Sequence, residues 1–348
     1  MRVRKRVRDF PKETPSFSER QRTHHPDAVA QVLTLDERHH KIGESVALIE
    51  DRDVVITGGN SGIGFEAARV LAARGARVVL ACRDAARGEA ARARILAESA
   101  HAAVTVGALD LASLAALRSF AERFAAEHAS LAVLVNNAGV MALPQGRTAD
   151  GFEMQLGTNH LGHFALTAAL FPLLRKAPSA RVVTVSSLTH KPYLFPIDDP
   201  MSERKYAPWR AYAASKLANV YFMRELDRRL RLAGDPMMSI ACHPGYSATN
   251  LTTAGMVTHG GFFSRAADAL GSRLLAQSAA RGALPILFAA AAPEARGGTM
   301  IGPDGIGELR GYPAPGSIAA HGLDEVMAQR VWALSEELTG AAFEGLRG

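Results

Sequence analysis

Tyr212 and Lys216 stand four residues apart in Tyr212-Ala213-Ala214-Ser215-Lys216, at the head of a stretch with helical character. On a helix that spacing puts the phenol and the ammonium on one face. A nearby cation favours phenolate and lowers a tyrosine pKa that is ordinarily about 10. Such a tyrosine can pass a proton near neutral pH, the step that interconversion of a carbonyl and an alcohol requires. A Tyr and a Lys at this spacing also occur often by chance. Ser187 raises the pair above chance: it lies 25 residues upstream, at the carboxyl end of the apolar run Arg181 to Ser186. From there its hydroxyl can bond the same developing oxyanion.

A second constellation suits a dinucleotide. The apolar run Val54 to Thr57 leads into Gly58-Gly59-Asn60-Ser61-Gly62-Ile63-Gly64, and an Ala-rich helical stretch follows. Gly62, Gly64 and Ala67 match a dinucleotide fingerprint with alanine last; small residues permit the tight turn and the close approach of backbone to pyrophosphate. The helix start offers free N–H groups and a positive dipole end. The second apolar run ends in Cys82, Arg83 and Asp84. An acid at its end would hold a ribose 2′-hydroxyl, whereas a guanidinium suits a 2′-phosphate. Arg83 favours NADP; the competing arrangement has Asp84 on the ribose and Arg83 in solvent.

These residues need elements to position them. From Asp53 onward, β-branched runs alternate with Ala-rich amphipathic stretches, the pattern of βαβ units and a parallel sheet. The strands expected are 54–57, 77–81, 103–107, 131–135, 181–186, 238–241 and 298–301. Helices are expected near 62–74, 85–98, 111–128, 152–174, 210–232 and 273–291, with a short one near 27–33. This reads as one α/β domain, a doubly wound seven-stranded parallel sheet with helices on both faces. Its ligand belongs beyond the carboxyl ends of the strands, where the strand order reverses.

In the kind, order and spacing of its motifs over residues 50–305, the chain resembles the short-chain dehydrogenase/reductase family. The resemblance implies the Rossmann-type fold, an NAD(P) cofactor and direct hydride transfer. It implies cofactor contacts by Gly58, Asn60, Ser61, Gly62, Ile63, Gly64 and Arg83, by Asp110 and Leu111 at the adenine, by Asn137, Ala138 and Gly139, and by the turn Pro244-Gly245 with Thr249. It makes Asn159, Ser187, Tyr212 and Lys216 the catalytic tetrad. Tyr212 protonates the substrate oxygen, Lys216 also bonds the nicotinamide ribose, and Asn159 holds a water between Lys216 and solvent. Ala81-Cys82-Arg83-Asp84, the asparagine helix and Lys216-Leu217-Ala218-Asn219 resemble the retinol dehydrogenase branch and its bacterial relatives, which tend to use NADP and lipophilic substrates. The family commonly assembles as homodimers or homotetramers through helices that here are 152–174 and 210–232.

Composition narrows the classes. The 348 residues are 48% hydrophobic and 21% charged, an ordinary globular balance that excludes collagen, coiled coil and mini-protein. No run of 18 apolar residues occurs, so no membrane span is expected. Two cysteines, Cys82 and Cys242, make no disulfide scaffold and fit a reducing, cytoplasmic setting. Five of the basic residues behind the net charge of +6 lie in residues 1–8, and without them the balance is near +1. Residues 1–45 read as a disordered basic arm; residues 1–8 could alternatively touch phosphate or a membrane surface, but the near-neutral balance of the rest argues against a nucleic-acid role. Residues 306–348 read as an extension beside the main domain. His160, His163, His190 and His243 have no spacing of a metal site and read as packing or hydrogen-bonding residues. Ser186 reads as facing the cofactor, and 224–231 as a solvated helix face. Tyr193, Leu194, Phe195 and Trp209, with Met256, Phe262 and Phe263, suggest a lipophilic aldehyde, ketone or alcohol. The alternative class is a catalytically silent dinucleotide-binding regulator or redox sensor.

Overall fold

The computed structural model describes residues 49–246 and 277–346. The expected helix near 27–33, the start of the helix placed at 273–291, and Thr249, Met256, Phe262 and Phe263 lie outside them.

The β-branched runs form strands β1 (Asp53–Thr57), β2 (Arg77–Cys82), β3 (Ala103–Ala108), β4 (Val133–Asn136), β5 (Arg181–Val185), β6 (Met238–Cys242) and β7 (Met300–Pro303). All six pairings among them are parallel, in the order β3-β2-β1-β4-β5-β6-β7. β1, β4 and β5 are buried along their whole length, as a sheet covered on both faces requires. The strand order reverses between β1 and β4, and the loops following these two strands carry the glycine turn and Asn137.

An eighth strand, β8 (Pro313–Pro315), pairs antiparallel with β7 and corrects the expected seven. Two prolines in three residues hide it from pattern reading, and an edge is where a sheet tolerates them.

The helices are α1 (Gly62–Ala73), α2 (Ala85–Glu98), α3 (Leu114–Glu127), α4 (Gly162–Lys176), α5 (Pro208–Leu232), α6 (Ala279–Ala291) and α7 (Glu325–Thr339). α4 is preceded without a break by a helical turn at Met154–Leu156 and a π-helical turn at Gly157–Leu161. Pro208 opens α5, where its missing N–H costs nothing, and Gln155 Nε2 donates to the Pro208 carbonyl at 2.9 Å.

α7 falls where the sequence reading expected an extension. It lies along α5 and inserts Trp332 against Phe164 of α4 (ring centroids 5.0 Å) and Phe222 of α5 (5.9 Å). Phe343 closes the cluster 4.7 Å from Trp332. Part of the surface expected to pair between subunits is therefore covered by the chain's own C-terminal helix. The 224–231 stretch is also not simply a solvated face. Glu225 and Asp227 are buried, and Arg228 and Arg229 bond Glu225 at 2.7 Å while Arg231 pairs with Asp227 at 3.0 Å. Pairing is what makes burial of these carboxylates tolerable.

Candidate active site

The glycine turn is shaped by two local demands. Gly62 has φ +58°, which L side chains rarely adopt. At Gly64 a Cβ would stand 2.4 Å from Asn137 Nδ2 and 2.7 Å from the Gly58 carbonyl, so a side chain there cannot fit. Ser61 is the N-cap of α1 and makes no side-chain capping bond, which leaves first-turn N–H groups open toward the turn.

Thr57, at the end of β1, ties this turn to the loop after β4. Its Oγ1 accepts from the backbone N–H groups of Asn137 and Ala138, both at 2.9 Å, and its carbonyl accepts from Asn137 Nδ2 at 2.7 Å. Asn137 Oδ1 is buried without a partner. Asp110 Oδ1 accepts from Ala112 N at 3.0 Å, and Leu111 is buried beside Gly162. An open helix N-terminus and an orphaned amide oxygen at one crevice fit a dinucleotide lying across it.

Arg83 and Asp84 behave differently. The Asp84 carboxylate caps α2, accepting from Arg87 N at 3.0 Å, and pairs with Arg87 Nε at 3.3 Å. Arg83 is exposed and bonds no described residue.

The four residues expected to do chemistry converge between β5, α5 and the π-helical turn. The buried Tyr212 phenol faces the Ser187 side chain. Burial pushes the phenol up to about 12, and the neighbouring Ser187 hydroxyl pulls against it. Lys216 is buried and pushed down to about 8. Its Nζ donates to the Val185 carbonyl at 3.0 Å and lies 5.8 Å from the centre of the Tyr212 ring. The expectation that the cation depresses the tyrosine is not met in this arrangement: burial dominates and the ammonium is spent on a carbonyl.

Asn159 sits in the π-helical turn, a distortion common at functional sites. Its side chain is gripped on both ends. Oδ1 accepts from Val140 N at 2.7 Å, and Nδ2 donates to the Val140 carbonyl and to Ser215 Oγ, both at 2.9 Å. Gly139 makes room for it, since a Cβ would meet Asn159 Oδ1 at 3.1 Å and Lys216 Nζ at 3.5 Å.

Ser186 does not face the cofactor crevice as expected. It is buried and donates to the Lys216 backbone carbonyl at 2.8 Å, fastening α5 to β5. Ser186 and Ser187 continue β5 as extended backbone, on which neighbouring side chains point to opposite faces, and this separates the two serines.

Pro244 and Gly245 follow β6 and are braced from two sides. Gln277 Nε2 donates to the Pro244 carbonyl at 2.6 Å, and His243 Nδ1 accepts from Gly245 N at 3.2 Å. That acceptance assigns the His243 proton to Nε2, which donates to Glu308 at 2.7 Å. Lys191 Nζ and Ser317 also bond Glu308, and these partners hold its carboxyl down at about 2 against burial.

Sequence reasoning missed Thr57, Gln155, Ser215, Ser335 and Glu308, and placed His160, His163 and His243 only as generic hydrogen-bonding residues. The available signal was the spacing of His160 and His163 around Asn159.

Of the side chains expected near a substrate, Phe195 is buried against Tyr221 at 6.4 Å and serves packing. Trp209 is 50% exposed, 6.1 Å from the Tyr212 ring, and Leu194 is 73% exposed. Both described cysteines are buried and unpaired. No described helix is long and apolar enough to cross a membrane.

Comparison with known proteins gives the same frame. The family model for short chain dehydrogenase matches residues 52–256. Human retinol dehydrogenase 12 is 50% identical over 198 residues, 57% of this chain and 62% of that protein. The chain thus spans less than two thirds of that relative's length. Human retinol dehydrogenase 13 is 39% identical over 304 residues, 87% of this chain and 89% of that protein. A crystal structure of an uncharacterised protein from Mycobacterium paratuberculosis superposes with TM-score 0.70 at 41% identity, covering 86% of this chain and 98% of that one. The crevice at the strand reversal, the Tyr-Lys helix and these likenesses agree: the chain belongs to the short-chain dehydrogenase/reductase family of oxidoreductases, in its retinol dehydrogenase-like branch.

Proposed function

We propose that the protein is an NADP-dependent oxidoreductase that interconverts a lipophilic carbonyl compound and its alcohol. The observation that carries this reading is the convergence of Tyr212, Ser187, Lys216 and Asn159 at the open end of the sheet, with Lys216 Nζ 5.8 Å from the Tyr212 ring and Asn159 bonded to Ser215 on the same helix.

Bound NADP(H) supplies hydride to the carbonyl carbon or accepts it from the alcohol. The chain's residues do the rest. The open N–H groups of α1 and the Gly58–Gly64 turn receive the pyrophosphate, with Asn60, Ser61 and Ile63 along its path. Asp110 and Leu111 border the adenine, and Asn137, Ala138 and Gly139 back the crevice. Pro244 and Gly245 hold the nicotinamide end, and Thr249 is proposed to join them. Ser187 steadies the substrate oxygen, and Tyr212, protonated through the neutral range, gives its proton to that oxygen during reduction. Lys216 resupplies Tyr212, and Asn159 orders the water that connects Lys216 to solvent.

Selection of NADP rests on Arg83 and Asp84. The Asp84 carboxylate is occupied by the α2 cap, which leaves Arg83, exposed and bonded to no described residue, as the group for a 2′-phosphate. A lipophilic substrate is supported by the half-exposed Trp209 against Tyr212, by the exposed Leu194 in the preceding loop, and by relatives that are named retinol dehydrogenases. Cytoplasmic residence and homodimeric or homotetrameric assembly are part of the proposal, with subunit contacts placed outside the surface that α7 covers.

The test is oxidation of NADPH and of NADH by the purified protein, followed by absorbance against a panel of lipophilic aldehydes and ketones. NADPH-selective turnover is expected. Binding of both cofactors without turnover on any member would instead favour a dinucleotide-binding regulator.

A further inference from the structure

The C-terminal helix reaches the candidate lysine through a directed run of hydrogen bonds. The carbonyl of Val185 accepts from Lys216 Nζ at 3.0 Å and from Asn219 Nδ2 at 3.3 Å. A carbonyl needs a donor, so the Asn219 amide must turn its nitrogen to Val185 and its Oδ1 to His160 Nδ1, 3.3 Å away. That oxygen carries no hydrogen, so the His160 proton lies on Nδ1 and Nε2 is an acceptor. Ser335 Oγ of α7 stands 2.8 Å from Nε2, and its one hydrogen is shared between that nitrogen and the Val331 carbonyl at 2.7 Å. Ser335, His160 and Asn219 are at most 2% exposed, so no water competes for these bonds.

His160 also neighbours Asn159 in the π-helical turn, whose widened geometry lets the two adjacent residues serve opposite sides. Asn159 faces Ser215 and Val140 on the site side, and His160 faces α7 and α5. Burial holds His160 down at about 4, so the ring stays neutral and its tautomer is constant across the working range.

From this geometry we infer that Ser335 and His160 are positioning residues for Lys216, and that α7 is an integral part of the site. The inference rests on the reading of Tyr212 and Lys216 as a proton-transferring pair. With Asn219 held by His160, the Val185 carbonyl has a fixed second donor, and the Lys216 ammonium keeps one orientation relative to Tyr212. Released, Asn219 leaves that carbonyl to Lys216 alone. The titratable groups facing Lys216 are Tyr212 on its own helix, Cys242 on β6 and His163 on α4; His160 is faced by His163.

The experiment compares the full-length protein with Ser335→Ala, Ser335→Thr and His160→Phe. Two readouts are used: the pH profile of kcat alongside the KM for NADPH, and the titration of Lys216 followed by NMR in protein labelled at lysine Cε, without cofactor. In Ser335→Ala, kcat is expected to fall about tenfold with the NADPH KM within about twofold, because a small displacement of a proton-transfer group acts on turnover. The Lys216 midpoint is expected to move by about half a pH unit or more, and Ser335→Thr is expected to restore both. If Ser335→Ala and every folded His160→Phe sample keep the unmodified Lys216 titration, the inference is overturned, whatever happens to thermal stability. If the unmodified chain turns over no carbonyl compound, the proton-transfer reading fails, yet the Lys216 titration still decides whether α7 positions that side chain.

Discussion

The hydroxyl of Thr57, at the end of β1, donates to Nε2 of His163 on α4 across 2.8 Å in the core. His163 Nδ1 lies 2.9 Å from the Asn159 carbonyl, which can only accept, so the proton is on Nδ1 and Nε2 is an acceptor; it competes for the Thr57 hydrogen with the Val135 carbonyl, which is farther away at 3.2 Å. The same Thr57 oxygen accepts from Asn137 N and Ala138 N. One side chain thus joins the cofactor turn, the loop after β4 and the π-helical turn that carries Asn159.

Removing that hydroxyl should be costly. Thr57→Val strands two backbone N–H groups and one ring nitrogen, and a loss of about 2–4 kcal/mol is expected. Thr57→Ser keeps the oxygen and should lose less than about 1 kcal/mol. Chemical denaturation of both variants checks this. Equal stability of the two would show that the hydroxyl does not hold the turn together.

Cofactor choice should follow Arg83. Arg83→Ala is expected to raise the KM for NADPH by about tenfold or more, the scale of a charge-assisted bond to phosphate, and to leave that for NADH nearly unchanged. Asp84→Ala should remove a helix cap worth about 1 kcal/mol of stability without altering the preference. Steady-state kinetics with both cofactors distinguishes these outcomes from the reverse, in which Asp84 holds a ribose.

What pattern reading could reach depended on how far apart the partners lie. Tyr212 and Lys216 were legible because a helix alone sets their relation. β1 to β7 were legible as β-branched runs between Ala-rich stretches, with boundaries displaced by at most two residues. Thr57 and His163 are brought together by the strand order that sets β4 beside β1, which no local pattern encodes. α7 was hidden for a related reason. Its inward positions Ala328, Val331, Trp332 and Ser335 recur at helical spacing, but two of the four are small or polar and their partners lie more than a hundred residues upstream. The direction of Lys216 was not legible at all, since an ammonium near both a phenol and a strand carbonyl chooses by local geometry.

Tyr212→Phe removes the group proposed to give the proton and should lower turnover by about 10²–10⁴, with NADPH binding retained. In the unmodified protein, the alkaline limb of carbonyl reduction should lie near pH 8. That is where Lys216 loses its charge; Tyr212 itself, at about 12, stays protonated well beyond. A limb well above pH 9, or near-normal turnover by the phenylalanine variant, would remove these two residues from the mechanism.

Stability should fall on mild acidification. His160, His163 and His190 are buried and held near 4, 3 and 4, below their ordinary value of 6.5, and His243 is shifted the same way. Such groups stay neutral in the folded chain while the unfolded chain takes up protons. Their contribution is therefore fully present above pH 6.5 and is lost as pH falls toward 4, at about 1.4 kcal/mol per pH unit for each histidine. Glu308, held at about 2, adds to the same trend at lower pH: its contribution is complete above the ordinary carboxyl value of 4.5 and disappears as pH drops through 2. The folded chain would thus bind fewer protons than the unfolded one throughout the range from pH 6.5 to 4. Thermal melts at half-unit steps should show a continuous decline over that window, and His160→Asn, which keeps a side-chain N–H to Asn219 but cannot be protonated, should flatten it. A melting temperature constant from pH 7 to 4.5 would mean that these rings are protonated in the fold and that the tautomers assigned from their partners are wrong.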